Sequence, residues 1–121
     1  MKKILVMEDD PSIREGYITF LEFEGYTVFA VSDGKQGLQI LETEPIDLIV
    51  SDGAMPGMTG YEALLQIKTN PRFLHIPFIL ATGSPPQEVR EMIADQMPDL
   101  HLNKPVKPQE LLKAIADLLE D

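Results

Sequence analysis

Apolar residues in this chain follow two rhythms, short continuous runs and stripes at spacings of three and four. The first run, Ile4-Leu5-Val6-Met7, contains β-branched members and is closed by Glu8, Asp9, Asp10 and Pro11. Such a run suits a central strand covered on both faces. Pro11 sits where a helix would begin, and Ile13, Tyr17, Phe20 and Leu21 then recur at helical spacing up to Gly25, a C-terminal cap residue. Tyr26–Val31 reads as a second strand. Asp33-Gly34 opens a second helix with Leu38 and Leu41 inward, ahead of Pro45. Ile46–Val50 reads as a third strand, and the glycines and proline of residues 51–60 mark a loop. A third helix runs through Leu64, Leu65 and Lys68. Ile76–Ala81 is the fourth strand, and a loop with Thr82 and Gly83 follows it. Val89, Met92, Ile93 and Ala94 mark a fourth helix. Leu100–Leu102 is a short fifth strand, and Pro108–Leu119 a last helix with Leu111, Leu112, Ile115, Leu118 and Leu119 on its apolar side.

Five strand signals alternating with five helical ones predict an α/β fold, with right-handed crossovers laying helices on both faces of a parallel sheet. Ligand sites in such folds lie outside the carboxyl ends of the strands, near the point where strand order reverses. Four polar features fall at those ends. Glu8, Asp9 and Asp10 follow the first strand, Asp52 the third, Thr82 the fourth and Lys104 the fifth.

Composition narrows the chemistry. A chain of 121 residues, 44% apolar, fits one globular domain over residues 1–121. Twenty acidic against ten basic residues give a net charge of -10, which argues against direct nucleic-acid binding by this chain. The absence of cysteine excludes disulfides, thiolate metal sites and cysteine nucleophiles. The apolar run after Met1-Lys2-Lys3 lasts four residues, too short for an export signal or a membrane span, so a cytoplasmic protein is expected.

Carboxylates crowded at one rim are costly without a compensating cation. Hard oxygen donors in this number suit Mg²⁺. Asp52 can act as a nucleophile that forms an acyl phosphate. Charge on the phosphoryl oxygens would then be met by the cation, by the Lys104 ammonium, and by the Thr82 hydroxyl with nearby N–H groups. Each piece also has a plainer explanation. The acids could start a helix, Asp52 and Thr82 could be turn residues, and Lys104 could be a solvated lysine. Their joint occurrence at strand ends favours the chemical explanation. His75 precedes the fourth strand, on the opposite rim, and His101 lies within the fifth, so the two do not form a zinc site. Lys104-Pro105 is a place where a cis bond would turn the ammonium toward the site, with the isomer left open by sequence.

Five segments together resemble the receiver domain of two-component response regulators over essentially the whole length. They are Ile4–Asp10, Asp47–Asp52, Met55-Pro56-Gly57-Met58-Thr59-Gly60, Ala81-Thr82-Gly83 and Lys104-Pro105. The resemblance implies a doubly wound, flavodoxin-like, three-layer α/β/α fold with strand order 2-1-3-4-5. It makes Asp52 the phosphoacceptor. Asp9 becomes a direct Mg²⁺ ligand, with Mn²⁺ as a substitute, Glu8 the holder of a metal-bound water, and the Ala54 carbonyl a further ligand. Lys104 pairs with the phosphoryl group, Thr82 swings toward it, and His101 occupies a rotating aromatic switch position.

Such a module is a signalling switch rather than an enzyme acting on a separate substrate. It catalyses its own Mg²⁺-dependent phosphorylation, and in some relatives its own dephosphorylation. The implied partners are a sensor histidine kinase or a phosphotransfer domain as donor, and a target protein or effector domain as recipient. Homodimerisation on phosphorylation is one outcome the resemblance allows. The first helix, with Ile13, Arg14 and Tyr17, would meet the donor; the predicted fourth helix, fifth strand and last helix would form the output face. Thr59 stands where many relatives carry Asp. Ala54 offers no polar group to position a hydrolytic water, so slow or partner-dependent dephosphorylation is expected.

Three rivals remain: an inactive receiver used as a docking module, an aspartate-nucleophile phosphatase, and a flavodoxin-like electron carrier. The first would be favoured by loss of Asp52 or Lys104. The second lacks an acid at position 54, and the third would place an anionic cofactor against three carboxylates.

Overall fold

The computed structural model describes residues 1–83, 87 and 98–119. Five strands, β1 (Lys3–Met7), β2 (Thr27–Val31), β3 (Leu48–Asp52), β4 (Phe78–Thr82) and β5 (Leu100–Asn103), pair in parallel in the order β2-β1-β3-β4-β5. Helices α1 (Pro11–Phe23), α2 (Gly34–Thr43), α3 (Gly60–Lys68) and α4 (Pro108–Leu118) complete the described elements. The predicted fourth helix, with Val89, Met92, Ile93 and Ala94, lies outside the described residues.

Strand parity divides the core in two. Leu5, Met7, Ile49 and Phe78 join Leu41, Leu64 and Ile67 on the α2–α3 side. Ile4, Val6, Leu48 and Ile79 join Tyr17, Leu21, Leu111 and Ile115 on the α1–α4 side. Successive strand residues point to opposite faces, so β1 must be apolar at every position to serve both cores. All four residues from Ile4 to Met7 are fully buried. Each such side chain contributes roughly 1.5–3 kcal/mol of burial free energy, enough to hold this strand at the centre of the sheet.

Three strand starts fall one to two residues later than the apolar runs suggest, each because a turn takes the first residues. Tyr26 N–H donates to the Leu21 carbonyl beyond Gly25, whose φ of +94° suits a residue without Cβ, and the strand begins at Thr27. Ile46 N–H donates to the Glu44 carbonyl, and Ile76 N–H to the Phe73 carbonyl. Ile13, expected on the inner stripe of α1, is 42% exposed. It lines a groove with Tyr17, Phe20, Pro105 and Val106, between α1 and the segment after β5.

Candidate functional site

The order of the sheet reverses between β1 and β3, and the register there pairs Met7 with Ser51. One residue further on, Glu8 and Asp52 are therefore brought side by side. Oxygens of Glu8, Asp9 and Asp52 all lie within 4.8 Å of one another. Lys104, directly after β5, sets its Nζ 3.0 Å from Glu8 Oε1 and 3.2 Å from Asp52 Oδ2. The Lys104–Pro105 peptide is cis.

Burial decides how these charges behave. Glu8 is 1% exposed, and this desolvation raises its pKa above the ordinary carboxylate value, opposed by the hydrogen bonds from Lys104 and from Asp10 N–H. Burial works against the Lys104 charge as well. Its hydrogen bonds to Glu8 and Asp52 outweigh that, and the ammonium titrates above its ordinary value. Tyr17 packs beneath the site, and burial pushes its phenol up to about 12, so it stays neutral there.

The acidic triplet splits into two roles. Asp10 is the N-cap of α1, its Oδ1 accepting from Ser12 N–H at 2.9 Å and Ile13 N–H at 3.2 Å. Glu8 and Asp9 face Asp52. Arg14 holds their backbone, with Nη1 donating to the Glu8 carbonyl at 2.9 Å and to the Asp9 carbonyl at 3.4 Å.

Thr82 ends β4 and is buried. Lys104 N–H donates to its carbonyl at 3.2 Å, which carries the β4–β5 ladder up to the lysine. The Thr82 Oγ1 lies 3.2 Å from the Tyr61 hydroxyl. Under Asp52, Gly60 N–H donates to the Gly53 carbonyl at 2.9 Å, and a Cβ on Gly60 would collide with the Asp52 carbonyl. Ala54 and His101 are exposed, Ala54 in the loop after β3 and His101 on β5. His75 is exposed just before β4, at the opposite end of the sheet from Asp52.

Thus Glu8, Asp9, Asp52, Thr82 and Lys104, singled out from strand ends, share one rim. Arg14 and Tyr61 are additions in the site's framework. Neither follows a strand, and an aromatic on a helix stripe reads as ordinary core. As a donor set, three carboxylates from two adjacent strand ends present hard oxygens, with the Lys104 ammonium offsetting part of their charge. That chemistry fits a hard divalent cation.

The chain belongs to the response regulator receiver domain family, whose family model matches residues 4–116. It is a signalling module of two-component systems. The chain is 34% identical over 116 residues to the response regulator RR06 of Streptococcus pneumoniae, covering 96% of this chain and 52% of that protein. It therefore spans about half of that relative. The receiver domain of a signal transduction histidine kinase from Syntrophus aciditrophicus superposes with a TM-score of 0.91 at 31% identity, covering 98% of this chain and 90% of the other. The receiver domain of the sensor histidine kinase PA1611 from Pseudomonas aeruginosa superposes with a TM-score of 0.88 at 28% identity, covering 99% and 98%. That domain carries a magnesium ion coordinated in its active site cleft. Among the described residues of the present chain, no helix is long and apolar enough to cross a membrane.

Proposed function

We propose that residues 1–121 form one phosphoacceptor domain in which Asp52 takes a phosphoryl group from a phosphohistidine. The donor is a sensor histidine kinase or a phosphotransfer domain. The observation that carries this is the Asp52 carboxylate, 3.2 Å from the Lys104 ammonium inside a three-carboxylate cluster at the reversal of the sheet. An Asp52 oxygen attacks phosphorus in line, the P–N bond breaks, and the imidazole leaves with the bonding pair. Lys104 then moves from two carboxylates toward the phosphoryl oxygens, and Thr82 donates its hydroxyl to another.

Asp9 and Asp52 would hold Mg²⁺ directly, with the Ala54 carbonyl as a further ligand and Glu8 through a bound water; Mn²⁺ is the natural substitute. Bound there, the cation supplies charge neutralisation on the phosphoryl oxygens. The donor set of this chain and the magnesium in the Pseudomonas aeruginosa receiver domain both support that assignment. The chain itself provides the catalysis of uptake and of any hydrolysis.

The new dianionic group biases an ordering equilibrium through Thr82, with His101 as the outer switch residue. The groove between α1 and Lys104–Val106 offers the exposed Ile13 to the donor, while a target protein or effector domain reads the face that includes β5 and the last helix. Homodimerisation on phosphorylation and a cytoplasmic location, where kinase and nucleotide meet, complete the proposal.

Intact mass after incubation with Mg²⁺ and acetyl phosphate tests it. One phosphoryl group should be gained by the wild type and by neither Asp52→Asn nor the chelated sample. No gain in the wild type under any divalent cation would favour a phosphorylation-independent docking module.

A further inference from the structure

Tyr61 is the second residue of α3, and its ring is buried beside the site. The space it fills belongs to position 53. A Cβ built on Gly53 would stand 2.5 Å from both Cζ and the hydroxyl oxygen of Tyr61, and 3.0 Å from Thr82 Oγ1. No side chain at 53 can coexist with the ring as placed. The residue after Asp52 is small because a tyrosine from α3 reaches across its backbone to Thr82.

We propose that Tyr61 is a positioning residue for phosphoryl uptake, its hydroxyl fixing the Thr82 hydroxyl so that the Thr82 proton points at the phosphoryl group on Asp52. This rests on the reading of Asp52 as the phosphoacceptor. The two hydroxyl oxygens lie 3.2 Å apart, and either can donate. A threonine hydroxyl has one proton and two lone pairs. If Thr82 donates to Tyr61, no proton is left for a phosphoryl oxygen. If Tyr61 donates, the Thr82 proton is free. The phenol is the more acidic of the two and the better donor, and negative oxygens at Asp52 would fix the direction as Tyr61 to Thr82 to phosphoryl. Bonds in series polarise each other, most strongly where water is excluded.

A second consequence concerns where the signal leaves the site. His101 is exposed on β5, whereas Tyr61 is rooted in the first turn of α3 and bonded to Thr82. Any movement of Thr82 toward the phosphoryl group therefore pulls on α3 directly.

Tyr61→Phe keeps the ring and removes only the hydroxyl. The initial rate of phosphoryl uptake from acetyl phosphate should fall about threefold to tenfold, the worth of one hydrogen bond. In a Thr82→Ala background the same change should cost nothing further, because its partner is gone. A merely structural role would not give that non-additivity. It would also leave the Tyr61 ζ-carbon NMR signal still on phosphorylation; a shift is expected in the wild type and none in Thr82→Ala. Gly53→Ala, which displaces the ring, should reproduce the Tyr61→Phe defect. An unchanged Tyr61→Phe rate, or losses that simply add, would overturn this inference and leave Asp52 as acceptor. Failure of the wild type to gain mass, measured first, would instead overturn the reading beneath it.

Discussion

At the scale of single residues, the site is built by giving each polar group one duty. Three adjacent acids follow β1, yet Asp10 is consumed in capping α1 while Glu8 and Asp9 turn to the rim. The helix-start explanation of that triplet holds for Asp10, while Glu8 and Asp9 join Asp52 in the carboxylate cluster. Their identities were legible in the sequence as residues after strands; the division of labour was not, because it depends on which carboxylate the first turn of α1 reaches. Tyr61 was illegible for a related reason: only its reach across Gly53 to the Thr82 hydroxyl distinguishes it from core. Ala54 carries the residue-scale prediction. It is exposed two residues after Asp52, and its side chain has no polar atom to hold a hydrolytic water. Ala54→Asn supplies an amide, and the phosphoryl lifetime on Asp52, followed by mass after donor removal, should shorten. A gain of one hydrogen bond to the attacking water corresponds to about threefold to tenfold. Equal lifetimes would mean that water is positioned elsewhere.

At the scale of elements, the loops after β1 and β3 are tied down by hydrogen bonds where they meet the site. The β3–α3 loop is tied by Gly60 N–H to the Gly53 carbonyl and by Gly34 N–H to the Met58 carbonyl, at 2.9 and 3.0 Å. Thr59 caps α3 in a reciprocal capping box with Glu62, which fixes the start of that helix. The β1–α1 loop is held by the Asp10 cap and by Arg14 on the Glu8 and Asp9 carbonyls. Elements with long apolar runs or stripes were legible in the sequence. Their first residues were not, since Tyr26, Ile46 and Ile76 are drawn into turns by backbone bonds that pattern does not reveal. Asp10→Ala is expected to cost about 1 kcal/mol of stability by removing the cap. Urea denaturation should show a lower midpoint with an unchanged slope. Because the same loop presents Asp9, Mg²⁺ affinity should weaken in the same variant. A loss of stability with unchanged affinity would mean that Arg14 alone holds the loop.

At the scale of the whole molecule, a chain of net charge -10 concentrates three carboxylates, one of them buried, at one rim of its sheet. Lys104 offsets part of that charge through its contacts with Glu8 and Asp52. The remainder is repulsion that the unfolded chain, with its acids dispersed, does not feel. A divalent cation bound at the rim should therefore stabilise the fold as a ligand of the native state. At a free concentration one hundred times its Kd the gain is about 2.7 kcal/mol, a rise in Tm of about 10 °C. Screening alone would also stabilise so acidic a chain, and the two effects separate cleanly. NaCl matched for ionic strength should reproduce the screening part and leave a remainder specific to Mg²⁺. Asp9→Asn should abolish that remainder while keeping the response to NaCl, and EDTA should return the wild type to its metal-free Tm. A Mg²⁺ response identical to that of NaCl, or one that persists in Asp9→Asn, would mean that the three carboxylates do not form a cation site. Phosphoryl uptake at Asp52 would then have to rely on Lys104 for its charge neutralisation.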